Sequence, residues 1–311
     1  MDILVIDNGS EVTEFILVGL SNHPEYQIVF YCTMIVVYLI ILVGNSLIIV
    51  VVRVDGRLHT PMYFFLSNLS FLDICYSSHS VPFLLFNGLR DYPTISYNSC
   101  YAQKMIALFL GMTECLLAVM AYDRFVPISN PLSYTIIMNN RVCIQLAMVT
   151  WASAFLMAAI PIIAIPAHFC GQNVINHFTC ELQELLKLVC LDTPGRLILG
   201  LVISIFTLPL PFTFILFSYA RIVVAVLRIN SAEARLKAFS TCGSHLTVII
   251  IFYGTAIYMY LTPQSRESQD EGKVTSVFYG VVTPMLNPLI YTLRNKNVKN
   301  ALRKIIRKKE S

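Results

Sequence analysis

From Ile28 to Val52 the chain carries no ionisable side chain except tyrosine and cysteine. A helix needs about 20 mostly apolar residues to cross the hydrocarbon layer of a bilayer. Every backbone polar group in lipid must be paired internally, so this run predicts a membrane helix. Similar runs lie near residues 58–86, 97–127, 141–166, 196–228, 236–261 and 273–293, with Asp73 and Glu114 inside the second and third. They are far too long for barrel strands. The prediction is an all-α fold, an integral membrane seven-transmembrane helix bundle, without the internal inverted repeat of many transporters. Residues 1–25 are read as an extracellular segment, 26–293 as a single-domain bundle and 294–311 as a cytoplasmic tail.

Charge sets the orientation. Only 13% of the 311 residues are charged, too few to cover a soluble surface of this size. Residues 1–52 hold no Lys or Arg but five acids, Asp2, Asp7, Glu11, Glu14 and Glu25. Basic residues gather at Arg53 and Arg57, at Arg141, at Arg221, Arg228, Arg235 and Lys237, and from Arg294 to Lys309. The positive-inside rule puts these on the cytoplasmic side and the N-terminus outside. The net charge of +4 therefore reflects topology and implies no nucleic-acid partner. Val298, Ala301, Leu302, Ile305 and Ile306, set among the basic residues of the tail, predict a short amphipathic C-terminal helix on membrane lipid. No cleavable signal peptide is visible, and the first span is expected to direct insertion. Asn8-Gly9-Ser10 is a glycosylation sequon on the outer side.

Of nine cysteines, Cys32, Cys75, Cys115, Cys143 and Cys242 fall in spans or at their inner ends and read as small apolar side chains. Cys100, Cys170, Cys180 and Cys190 fall on the oxidising side and read as two disulfides, with three connectivities open. Asp73 and Glu114 are costly at mid-membrane and are expected to face the interior near Asn45 and Asn287. These four form either a hydrated cluster able to take a cation such as sodium at Asp73 and Glu114, or separate neutral hydrogen-bonded groups. Asp123-Arg124 at the inner end of span three is either a surface pair of little consequence or a latch. Pro82, Pro161, Pro209, Pro211, Pro284 and Pro288 bend their spans.

Enzyme signatures are missing: there is no HExxH, GxSxG, P-loop or GxGxxG string. In Cys242-Gly243-Ser244-His245, neighbouring side chains point about 100° apart on a helix, which argues against a nucleophile–base pair. His59, His79, His168 and His177 show no metal-ligand spacing, and no cofactor is expected.

Six strings carry a resemblance. Leu58-His59-Thr60-Pro61-Met62-Tyr63-Phe64-Phe65-Leu66-Ser67-Asn68-Leu69-Ser70 with Leu72-Asp73-Ile74-Cys75, and Met120-Ala121-Tyr122-Asp123-Arg124, are two of them. Ser218-Tyr219, the run Lys237 to Leu246, Phe252-Tyr253-Gly254-Thr255, and Pro284-Met285-Leu286-Asn287-Pro288-Leu289-Ile290-Tyr291 complete the set. In this order they resemble the odorant (olfactory) receptor family of rhodopsin-like G-protein-coupled receptors, over about residues 8–305. The resemblance implies a Cys100–Cys180 disulfide, leaving Cys170–Cys190. It implies that Arg124 is released when a G protein docks, with Tyr219 and Tyr291 swinging towards it. It also implies that Asn45, Asp73, Glu114 and Asn287 form the central cluster and that Tyr253 lies at the pocket floor.

The residues themselves suggest the pocket. Ala107, Leu108, Gly111 and Met112 make one stripe at helical spacing on the outer half of span three. Ser204 and Thr207 do so on span five, and Tyr253, Ile257 and Tyr260 on span six. Such a lining, apolar with a few hydroxyls, suits a small molecule and argues against an amine or carboxylate, with Lys104 and Glu181 at the rim. The expectation is a plasma-membrane receptor for a small volatile odorant that activates a heterotrimeric G protein of the stimulatory type, raising cyclic AMP. The competing reading is a transporter or channel for small solutes.

The chain departs from the family pattern at Phe125, Pro127 and Ser129, where Tyr, Ala and Cys are usual. Glu114 to Arg124 is one residue shorter than the family implies. At 100° per residue, ten residues leave the two groups about 80° apart where eleven would leave about 20°. Span three must therefore rotate or distort to keep both inside, and weakened coupling is expected.

Overall fold

The computed structural model describes residues 12–18, 24–90, 93–129, 131–164, 169, 171, 173–190, 194–228, 230–261, 269–294 and 296–309. Span one is α1 (Pro24–Val54), and span two is α2 (Pro61–Gly88), which opens with Pro61 in the first turn, where no N–H is needed. Span three is α3 (Tyr97–Thr113) continued by α4 (Leu116–Ser129). A one-turn helix, α5 (Tyr134–Ile137), follows in the second inner loop, and span four is α6 (Asn140–Ala164). The second outer loop carries the short α7 (Leu182–Lys187). Span five is α8 (Pro194–Thr207) and α9 (Pro209–Leu227), broken where Pro209 withholds its N–H. Span six is α10 (Ala232–Leu261). Span seven is α11 (Gln269–Val277) and α12 (Thr283–Arg294), joined by a π-turn at Phe278–Val282, and α13 (Lys296–Lys309) closes the described chain.

Among the described residues six helical stretches are long and apolar enough to cross a membrane, and α10 adds a shorter apolar stretch, His245–Met259. The helices pack mainly as α1 on α2 and α12, α4 on α9, α3 on α6 and α10 on α12. One continuous core runs through the bundle from Ile48 and Leu66 to Leu117, Ile215, Ile249 and Tyr291. Large apolar side chains such as Val36, Ile163 and Phe217 stay exposed, as lipid-facing positions must.

Proline chemistry explains how span one meets span seven. Pro288 inside α12 cannot donate to the Pro284 carbonyl one turn back. Asn45 Nδ2 donates to that carbonyl instead (3.2 Å). Gly44 makes the approach possible, since a Cβ there would lie 3.0 Å from the Pro288 ring.

A small outer sheet was not anticipated. Strands β1 (Glu14–Leu17), β2 (Thr94–Ser96) and β3 (Val174–Ile175) assemble in the order β2-β1-β3. β1 runs antiparallel to β2 with Phe15 opposite Ile95, and parallel to β3 with Ile16 opposite Val174. Phe15, Leu17, Ile95, Ile175 and Leu185 form a second core beneath the sheet, together with Cys100 and Cys180.

Candidate functional site

The outer half of the bundle is closed from above by the second outer loop. Cys100 of α3 is disulfide-bonded to Cys180, and Gln103 accepts from the Cys180 N–H (3.0 Å). Cys190 is also in a disulfide, whereas its expected partner Cys170 and the sequon residue Asn8 lie outside the described residues. Gln183 Nε2 donates to the Met259 carbonyl of span six (2.8 Å), and His177 Nε2 lies 3.2 Å from Ser276 Oγ of span seven. The loop is thus tied to spans three, six and seven. Burial, with Lys273 close by, holds the His177 imidazole down at about 3, so it is neutral at physiological pH. Burial raises the Glu181 carboxyl to about 7.

Below the loop, the predicted stripe of α3 meets an aromatic floor. The Tyr279 hydroxyl occupies the space a Cβ on Gly111 would need, 2.5 Å from that position. Tyr279 packs on Phe252 (5.2 Å between centroids) and Tyr76 (5.5 Å), Phe252 on Tyr253 (5.1 Å), and Tyr253 on Phe212 (5.4 Å). Five rings from spans two, five, six and seven therefore meet in one continuous set. Tyr253 is fully buried and its hydroxyl has no hydrogen-bond partner among the described residues. Ala107, Leu108, Met112 and Ile257 are half-buried. Thr207 donates to the Ile203 carbonyl of its own helix (2.9 Å), and Ser204 is exposed on α8. The side chain of Tyr260 lies outside the described part. Tyr76, Phe212 and Tyr279 escaped the sequence reading because single aromatics in apolar helices carry no signal of what they face.

The polar cluster lies deeper. Asn287 Nδ2 donates to both oxygens of Asp73 (3.1 and 3.0 Å). Asn45 Oδ1, Asn287 Oδ1 and Glu114 Oε2 are buried without hydrogen-bond partners among the described residues.

At the inner end, Asp123 accepts from the Tyr134 hydroxyl of α5 (2.9 Å), while the Arg124 guanidinium meets the Met62 sulfur of α2. Asp123 and Arg124 make no ion pair with each other, so the predicted pair is absent among the described residues. Tyr219 donates to the Cys242 carbonyl (3.3 Å) and lies 2.7 Å from His245 Nδ1, which ties span five to span six. The buried Tyr291 hydroxyl has no hydrogen-bond partner among the described residues. Tyr134 was missed, since nothing marks a loop tyrosine as the holder of an aspartate 11 residues earlier.

Span three shows the expected distortion. The N–H groups of Glu114 and Cys115 bond to Gly111 and Met112, and those of Leu117 and Ala118 to Glu114 and Cys115. All four reach back three residues where α geometry reaches back four, so the turn is wound tighter. Pro127 sits inside α4 with the helix continuing to Ser129.

Comparison with known proteins fits this geometry. A family model described as "Olfactory receptor" matches residues 34–309. Human olfactory receptor 13H1 is 50% identical over 307 residues, 98% of this chain and 100% of that one. Human olfactory receptor 2G3 is 50% identical over 303 residues, 97% of this chain and 98% of that one, and human olfactory receptor 13D1 is 48% identical over 301 residues, 96% and 87%. With a disulfide-tied outer loop over an aromatic-floored bundle and near-complete matches of this kind, the chain belongs to the olfactory receptor family, as an odorant-sensing G-protein-coupled receptor of the multi-pass plasma membrane and not an enzyme.

Proposed function

We propose that this receptor binds small, mainly apolar, uncharged odorants between the α3 stripe and the aromatic floor. Binding then activates a heterotrimeric G protein of the stimulatory type and raises cyclic AMP. The observation that carries this reading is the Tyr279 hydroxyl packed against Gly111, next to the buried Tyr253 and its ring neighbours Phe212 and Phe252. The N-terminus is outside and the tail cytoplasmic, as the basic inner loops support. The G protein docks where Arg124, Tyr219 and Tyr291 meet, and a shift of population towards an open inner face couples the two sites. Asp73 and Glu114 are the groups proposed to hold a sodium ion. A cyclic AMP reporter screen against a broad odorant panel tests the proposal. Hits are expected among neutral esters, alcohols, ketones and hydrocarbons, and are lost in Gly111→Leu, whose side chain displaces Tyr279 from the aromatic floor. Movement of a hit across sealed vesicles without cyclic AMP would favour the transporter reading.

A further inference from the structure

A cleft of about 660 Å³ lies apart from the proposed odorant site. It opens on the outside of the bundle between α1, α2 and α6, at the end where the basic loops gather. Its walls change character along the helix axis. Arg53, His59, Thr60 and Asn140 line the loop end, whereas Phe64, Phe71 and Ile144, with Ser67 and Asn68 between the two phenylalanines, line the part towards mid-membrane. At 1.5 Å per residue, Phe71 lies about 15 Å deeper along α2 than Pro61. Phe71 and Ile144 are 52% and 53% exposed within the bundle.

The polar end is built for an anion. No acidic residue lines the cleft. The nearby Asp55 carboxylate is held by Arg57 (2.6 Å), while Arg53 makes no ion pair among the described residues and remains exposed. Arg141, next in sequence to Asn140, is exposed as well. We propose that the cleft seats one anionic phospholipid of the inner leaflet, its phosphate at Arg53 and an acyl chain along Phe64 and Phe71. Basic pockets between spans on the cytoplasmic side have this chemistry, and the volume falls in the range of ordinary ligand sites.

This inference rests on the topology proposed above, and its test keeps the two apart. The full receptor in detergent, where no leaflet exists, is titrated with phosphatidylserine or phosphatidylcholine, and bound lipid is counted by native mass spectrometry. Arg53→Gln is expected to weaken phosphatidylserine binding about fivefold, the roughly 1 kcal/mol of one basic residue near an anionic headgroup. Arg53→Lys keeps the binding, and so does Arg221→Gln, which removes the same charge from span five. Phosphatidylcholine binding is weak throughout, and inorganic phosphate alone does not compete. Equal loss in Arg53→Gln and Arg221→Gln would reduce the effect to general charge and overturn the proposal. So would equal binding of phosphatidylcholine, displacement by phosphate or by a sterol, or loss in Arg53→Lys with a normal melting curve. A C-terminal tag reached by antibody on intact cells would instead overturn the topology, leaving the lipid preference of the cleft measured on its own.

Discussion

Inserting one leucine between Leu116 and Leu117 lengthens span three, yet we expect little change in what the span presents at either end. In α geometry, eleven residues bring a helix back within about 20° of the same face and advance it about 16.5 Å. Here the separation from Glu114 to Arg124 is ten, but the Leu117 and Ala118 N–H groups bond three residues back, to Glu114 and Cys115, so the four steps from Glu114 to Ala118 are tightly wound. A 3₁₀ step turns about 120° and rises about 2.0 Å. Four such steps among ten complete about three whole turns and about 17 Å, within about 20° and 0.5 Å of the longer helix. Tight winding thus replaces the missing residue in both rotation and length, and the insertion lets the turn relax to α. At matched surface expression, odorant potency and maximal cyclic AMP response should move by less than about twofold. Pro127→Ala should act differently, because it returns an N–H to the Asp123 carbonyl near the end of α4. That bond is worth about 1 kcal/mol, less than the roughly 3 kcal/mol of a mid-helix proline, and corresponds to about fivefold in an equilibrium. A tenfold gain from the insertion with none from Pro127→Ala would refute this division.

Cys100→Ser should abolish surface staining, since it frees the second outer loop from α3; normal staining with an intact response would contradict that role. Asn287→Ala strips Asp73 of two hydrogen bonds in a buried site and should cost about 1–3 kcal/mol, read as a lower melting temperature of purified receptor. Glu181 predicts a pH effect at the outer loop. A carboxyl raised in the folded state binds its proton more tightly there, so its stabilising contribution is full below the ordinary value of about 4.5 and fades as pH rises through about 7. Parent protein should therefore lose loop protection from hydrogen exchange between about pH 4.5 and about pH 7 relative to Glu181→Gln, and parallel profiles would exclude the effect.

The helices were legible because burial in lipid leaves an apolar run no alternative, and their ends fell close to the predicted positions. The distortion of span three was legible as a rotation deficit, though not which bonds would absorb it. The outer sheet was not legible. A strand of four residues pairing with segments far along the chain leaves no periodicity to read. Spacing of the four outer cysteines could not choose a connectivity, and Cys100–Cys180 came from resemblance alone before the structure placed it. The string Cys242-Gly243-Ser244-His245 argued against a local nucleophile–base pair, and the partner of His245 is Tyr219 on another span, which no local reading supplies. The proposed odorant site itself depends on Tyr279 meeting a residue that has no side chain, a fact carried by neither position separately.

The outer sheet also sets a timetable for biosynthesis. Its central strand, β1, is the first of the three to leave the ribosome, and Ile16 has no neighbour until Thr94 and then Val174 have been made. At roughly 5–20 residues per second, Phe15 and Leu17 wait on the order of 8–30 s before both flanks exist. Until then at least one edge of the strand stands open. A nascent receptor stalled before its second outer loop therefore displays an unfinished edge that a chaperone can grip, so closure of the sheet reports that spans one to four have been inserted.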